Sequence, residues 1–110
     1  MSGGGGGGID WTPDEKVDCA KLFEKTILNS PVPDVVSGLQ PRDVLTVELR
    51  SQSGRKSLIA TDAQGRIAGS LTPVSLPKII NCIETGFEFV AVVIEVRGGR
   101  CFVEIRPKAA

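Results

Sequence analysis

Five basic side chains stand beside two glycine-bearing turns. Arg50, Arg55 and Lys56 border "SQSG", and Arg97 and Arg100 border the two glycines of "RGGR". Phosphate contact needs such donors grouped on one face. These five are therefore the candidate nucleic-acid-binding residues, expected to share a single phosphate-facing surface. Single-strand recognition also uses aromatic rings on which bases stack, and the chain offers one Trp, four Phe and no Tyr. Phe87, Phe89 and Phe102 lie in apolar runs and are expected in the core. Trp11 is the aromatic with the best prospect of exposure, and it is the candidate partner-binding residue.

Other chemistries are poorly served. With no His and no Tyr, imidazole bases, Ser–His and Cys–His nucleophiles and the commonest metal ligand are all missing. Carboxylates for acid–base work exist in principle: Glu84 and Glu88 flank a helix end, and Glu95 and Glu104 fall in the last hairpin. Solvated surface charge is the simpler reading of both pairs. Cys19, Cys82 and Cys101 have neither zinc-knuckle nor CxxC spacing. They are expected to be free, buried thiols in a reducing compartment. No enzyme activity, cofactor or metal is expected.

The stretch "RKSLIATDAQGRIAGSL" (55–71) invites a phosphate-loop reading, but no GxxxxGK spacing exists and no Lys follows Gly69. It reads instead as a β-hairpin in which Gly65 supplies a positive φ. Upstream, Leu45, Val47 and Leu49 alternate with Thr46, Glu48 and Arg50, as in a half-buried strand. Downstream, Leu76, Ile79, Ile80 and Ile83 share one helical face across about 74–85, with Pro77 in the first turn and Gly86 at the C-terminal cap. "FEFVAVVIEV" and "CFVEIRP" are then two strands joined by Gly98 and Gly99.

The first forty residues are less regular. Residues 1–8 form a glycine tract with nothing to pack, expected to be a disordered tail. Thr12, Pro13 and Glu15 make a capping box. Residues 19–28 fit a strand, although 12–28 as a whole also carries helical spacing. "NSPVPDVVSGLQPRDVL" is a connection with one short helical turn near Asp34–Ser37.

The bounds are those of one small domain spanning 9–110. Net charge is zero, split as −3 over residues 1–40 and +3 over 41–110, which is not a strongly basic nucleic-acid binder. No apolar run approaches the ~20 residues of a membrane span and no leader is evident. The expectation is a cytoplasmic chain with no membrane partner.

The order of elements from Val44 to Pro107 resembles a HIRAN domain, an OB-like barrel. The likeness lies in "SLIATD", in the turn glycine and the Ile and Gly of "QGRIAGSL", and in the succession of "LPKIINCIETG" and "FEFVAVVIEV". The family's Asn-Pro-x-Asp stretch is absent, with "SQSGRK" in its place. The resemblance implies binding of single-stranded DNA ends through stacking and a polar pocket. Together these readings predict an α+β, mostly β protein: a six-stranded OB-like or HIRAN-like barrel with one main helix. Its expected role is non-catalytic binding of single-stranded DNA, or alternatively of another protein as an interaction or structural accessory module.

Overall fold

A computed structural model describes residues 19–108. The tail, the capping box and Trp11 lie outside the described residues. Six strands form one antiparallel sheet: β1 (Glu24–Ile27), β2 (Val44–Gln52), β3 (Arg55–Thr61), β4 (Ile67–Leu71), β5 (Phe89–Arg97) and β6 (Arg100–Pro107). Their spatial order is β1-β6-β5-β2-β3-β4. Among the described residues two complete helices accompany them, a single turn α1 (Pro33–Val36) and the main helix α2 (Leu76–Glu84). The fold is α+β, mostly β, as the sequence predicts. The ambiguous segment resolves into both readings, since Cys19 and Ala20 are helical and β1 is a strand.

The sheet curls into a half-barrel, and its two edges meet at one place. Just past β1, the Asn29 N–H donates to the Ser70 carbonyl (2.9 Å) and the Ser70 N–H returns a bond to Asn29 (2.8 Å). Beyond that bridge, Ser30 takes a positive φ of 48° and the chain stays against β4, where the Val32 N–H donates to the Ala68 carbonyl (2.8 Å). The edges are thus joined along a short seam, and the sheet has the small, strongly bent, barrel-like form that the sequence reading expected. The seam accounts for Gly69: a Cβ there would stand 2.9 Å from the Asn29 carbonyl oxygen and 3.2 Å from the Leu28 Cβ. In "GRIAGSL" the second glycine serves close backbone approach.

The turns follow local chemistry. Ser53 and Gly54 (φ 51° and 77°) join β2 to β3, and Gly98 and Gly99 (59° and 81°) join β5 to β6. Both are two-residue turns with positive φ at each centre, the type whose twist suits a hairpin. Between β3 and β4, Gly65 sits at φ 80°. The Asp62 carboxylate accepts the amides of Gln64 (2.9 Å) and Arg66 (2.8 Å) and pairs with the Arg66 guanidinium. Partial burial raises the Asp62 pKa, but these bonds outweigh it and hold the carboxyl below its ordinary value.

Inside the curl, Leu45, Leu58, Leu71, Phe89, Val93, Val103 and Ile105 are fully buried, and α2 covers them with Ile79 and Cys82. Ile80 and Ile83 pack against this core but are only half-buried, so the helix face is narrower than its apolar spacing suggests. At the helix start, the Glu24 carboxylate accepts the amides of Val74 (2.5 Å) and Ser75 (3.2 Å), meeting otherwise orphaned donors. At its end, the Phe87 N–H reaches the Cys82 carbonyl and the Gly86 N–H the Ile83 carbonyl (both 3.0 Å). With Gly86 at φ 108°, this is a Schellman cap.

The cysteine expectation is overturned. Cys19 and Cys82 form a disulfide with a Cα–Cα distance of 5.8 Å, and only Cys101 is a free, buried thiol. Spacing conceals the pair because the partners stand 63 positions apart in sequence, with β1 to β4 between them, and α2 folds back over the segment before β1. The argument for a reducing compartment falls with the free thiols. Among the described residues no helix is long and apolar enough to cross a membrane.

Candidate nucleic-acid interface

The five predicted basic residues do not share a surface. Val44 pairs with Val92 and Thr46 with Val90, so β2 and β5 run in opposite directions from that contact. Arg50 lies six residues beyond it one way and Arg97 five the other, roughly 35 Å apart along the strands at ~3.3 Å per residue. Arg50, Arg55 and Lys56 belong to one end of the sheet, Arg97 and Arg100 to the other.

Each end has one exposed arginine beyond its ion pairs, and the two ends differ in their aromatic content. At the β2–β3 turn, Lys56 pairs with Glu84 at the end of α2, and Arg50 with its strand neighbour Glu48 (3.3 Å). Arg55 is exposed at the turn, and no aromatic side chain stands in this hairpin. At the β5–β6 turn, Arg97 pairs with Glu95 (3.2 Å) and its guanidinium lies 5.9 Å from the centre of the Phe102 ring, within cation–π range. Arg100 is exposed and, among the described residues, has no carboxylate partner.

Phe102 is not a core residue. Cys101, Val103 and Ile105 take the inward positions of β6, and alternation sends Phe102, Glu104 and Arg106 to the outer face. The register continues the face: Ile27 is opposite Phe102, and Lys25 opposite Glu104. Between Val93 and Glu95 the β5–β6 register shifts by one residue, and Ile94 occupies the bulge. The result is an open groove of about 460 Å³ on the outer face, lined by Lys25, Ile27, Ile94, Glu95, Arg97 and Phe102. Its floor is apolar and aromatic, and its rim carries more cations than anions. Such a groove can hold a flat apolar moiety against Phe102 and present cations to an attached anion.

The carboxylate pairs considered for acid–base work are separated. Glu95 is opposite Phe102 while Glu104 is opposite Val92, and Glu104 pairs with Arg106. Glu84 holds Lys56, and Glu88 holds Lys108 at 3.4 Å. Among the described residues no group of three or more His, Cys, Asp or Glu could hold a metal ion.

Two residues of this region escaped the sequence reading. Lys25 was hidden because the course of β1 was ambiguous. Arg42 was hidden because it lies in an irregular connection. It has a φ of 80°, a conformation that costs a residue with a side chain about 1–2 kcal/mol.

The fold and groove together define a small antiparallel half-barrel with one packed helix and an amphipathic outer groove. Comparison with protein-family models, curated proteins and solved structures finds no match at any of the three levels.

Proposed function

We propose that this chain is a non-catalytic binding module whose ligand is single-stranded nucleic acid, held in the outer groove of β1, β6 and β5. The observation that carries the reading is Arg97 stacked over the half-buried Phe102 ring, with Arg100 and Lys25 beside the same groove. A base stacks on an aromatic face whatever its sequence, and the neighbouring cations meet the phosphates. The resemblance of residues 44–107 to HIRAN domains favours the same ligand.

The reading assigns different weights to the five basic residues. Arg97 and Arg100 belong to the binding surface; Arg50 and Lys56 serve local ion pairs, and Arg55 is a solubilising turn residue. Fluorescence anisotropy with a labelled single-stranded oligonucleotide, across a salt series, tests this. Arg100→Ala should weaken binding and lower the slope of log K against log salt by about 0.7, the value for one phosphate on a single strand. Arg55→Ala should change neither. Equal effects of the two substitutions, or no binding at low salt, would refute it.

A second reading rests on the same face of the sheet. Val44 is 58% exposed and lies directly opposite Val92, and Ile94 is 41% exposed. This apolar stripe suits a protein partner. Retention of partner binding with no response to oligonucleotide or salt would favour it.

A further inference from the structure

We infer that Arg42 is a further phosphate-contacting residue of this groove, retained at a position where the backbone calls for glycine. The inference rests on the nucleic-acid reading above and adds a residue that the sequence pattern did not reveal.

The turn that holds Arg42 is closely determined. The Asp43 N–H donates to the Gln40 carbonyl (3.0 Å), and the Asp43 carboxylate accepts the Gln40 N–H (2.9 Å). Pro41 precedes Arg42, whose φ is 80°. Proline followed by a positive-φ residue inside a four-residue turn is the type II arrangement, in which Gly or Asn normally takes the third place. Arginine has no such advantage. Residues held in sparsely populated backbone conformations cluster at binding sites, where a side chain is needed more than an unstrained backbone.

Position supplies the second argument. The Arg42 N–H donates to the Val93 carbonyl (2.7 Å), and the Val93 N–H donates to Asp43 (2.8 Å). These bonds clamp the turn to β5 immediately before the Ile94 bulge that lines the groove. In the strand order β1-β6-β5-β2, Lys25 stands on the β1 side and Arg42 on the β2 side. Arg97 lies four residues further along β5, about 13 Å at the usual strand rise. Cations thus stand on both flanks and at the end of one groove, as a polyanion lying along it would require.

Charge pairing agrees. Arg50, Arg66, Arg97 and Arg106 each pair with a carboxylate. Arg42 is exposed and, among the described residues, no carboxylate pairs with it; the adjacent Asp43 is engaged by Gln40.

The test is Arg42→Gly, measured for stability and oligonucleotide binding together. Glycine adopts the turn without strain, so the melting temperature should hold or rise. Binding should nonetheless weaken, with the salt slope reduced by about 0.7. Arg42→Lys should keep most of the slope, and Arg42→Asn, which also tolerates this backbone, should repeat the glycine result if the glycine variant proves unstable. Unchanged affinity and slope in the glycine and asparagine variants, while Arg100→Ala weakens binding, would overturn the role of Arg42 and leave the groove standing. No binding by the parent protein at low salt would overturn both.

Discussion

Removing the Cys19–Cys82 disulfide should be the most damaging single change to the fold that leaves every strand intact. The bond closes a loop of 63 residues that contains β1 to β4 and α1. In the chain-entropy model, cross-linking a loop of that length restricts the unfolded ensemble by an amount worth about 4 kcal/mol at room temperature. Against a typical total of about 5–15 kcal/mol, that is a large share. At roughly 4–8 °C per kcal/mol for a domain of this size, the melting temperature should fall by some 15–30 °C. Scanning calorimetry of the oxidised protein, the reduced protein and the Cys19→Ala/Cys82→Ala variant measures it. Thiol counting gives an independent check. Cys101 is fully buried, and burial raises its pKa, so the native protein should show almost no reactive thiol. The protein unfolded without reductant should show one, and after reduction three. Three thiols before reduction would mean the bond is absent. A drop of only two or three degrees on reduction would show that the loop entropy is not what the disulfide restrains.

Three further outcomes follow from the packing and the turns. Gly69→Ala places a Cβ 2.9 Å from the Asn29 carbonyl oxygen and should cost about 1–3 kcal/mol by forcing the edges apart; a denaturant midpoint equal to the parent's would show that the seam yields freely. Ile79→Ala should cost about 2–5 kcal/mol, and Ile83→Ala clearly less because its side chain is half-exposed; the reverse order in denaturant titrations would mean that α2 packs on a different face. Asp62 has a folded pKa below its unfolded one, so its contribution is complete above the unfolded value and is lost as pH falls through the folded value. Asp62→Asn should therefore lessen the loss of stability in the acid range, and identical acid limbs for the two proteins would rule this out.

The sheet was legible in the sequence where its strands alternate and its turns carry their own chemistry. From Val44 to Pro107 the inward residues Leu45, Val47, Phe89, Ala91 and Val93 follow the period of two, and Gly65, Gly86, Gly98 and Gly99 take the positive φ that their neighbours demand. What failed was long-range. No local pattern says that Cys19 will lie beside Cys82, because the contact depends on where α2 lands across the curl. Phe102 was misplaced because β5 and β6 are apolar on both faces near the bulge, and a run of that kind does not declare which side is inside. The five basic residues were grouped by their shared closeness to turns. In an antiparallel sheet, successive hairpin turns need not fall at the same end, and here the β2–β5 pairing separates them.

That separation also gives the two ends of the sheet different surroundings for their cations. At the β2–β3 end, Lys56 and Arg50 are balanced by Glu84 and Glu48, and this end also meets α2, whose Ile79 and Cys82 fill the mouth of the curl. Of these pairs, Lys56–Glu84 fastens the hairpin to the helix, while Arg50–Glu48 lies within β2. At the β5–β6 end, Arg100 and Arg42 have no carboxylate partner among the described residues, and Arg97 divides its contacts between Glu95 and Phe102. Each hairpin end thus keeps one arginine beyond its ion pairs, Arg55 at one and Arg100 at the other, and what sets the β5–β6 end apart is the ring beside Arg97, that of Phe102, the one outward-facing phenylalanine of β6.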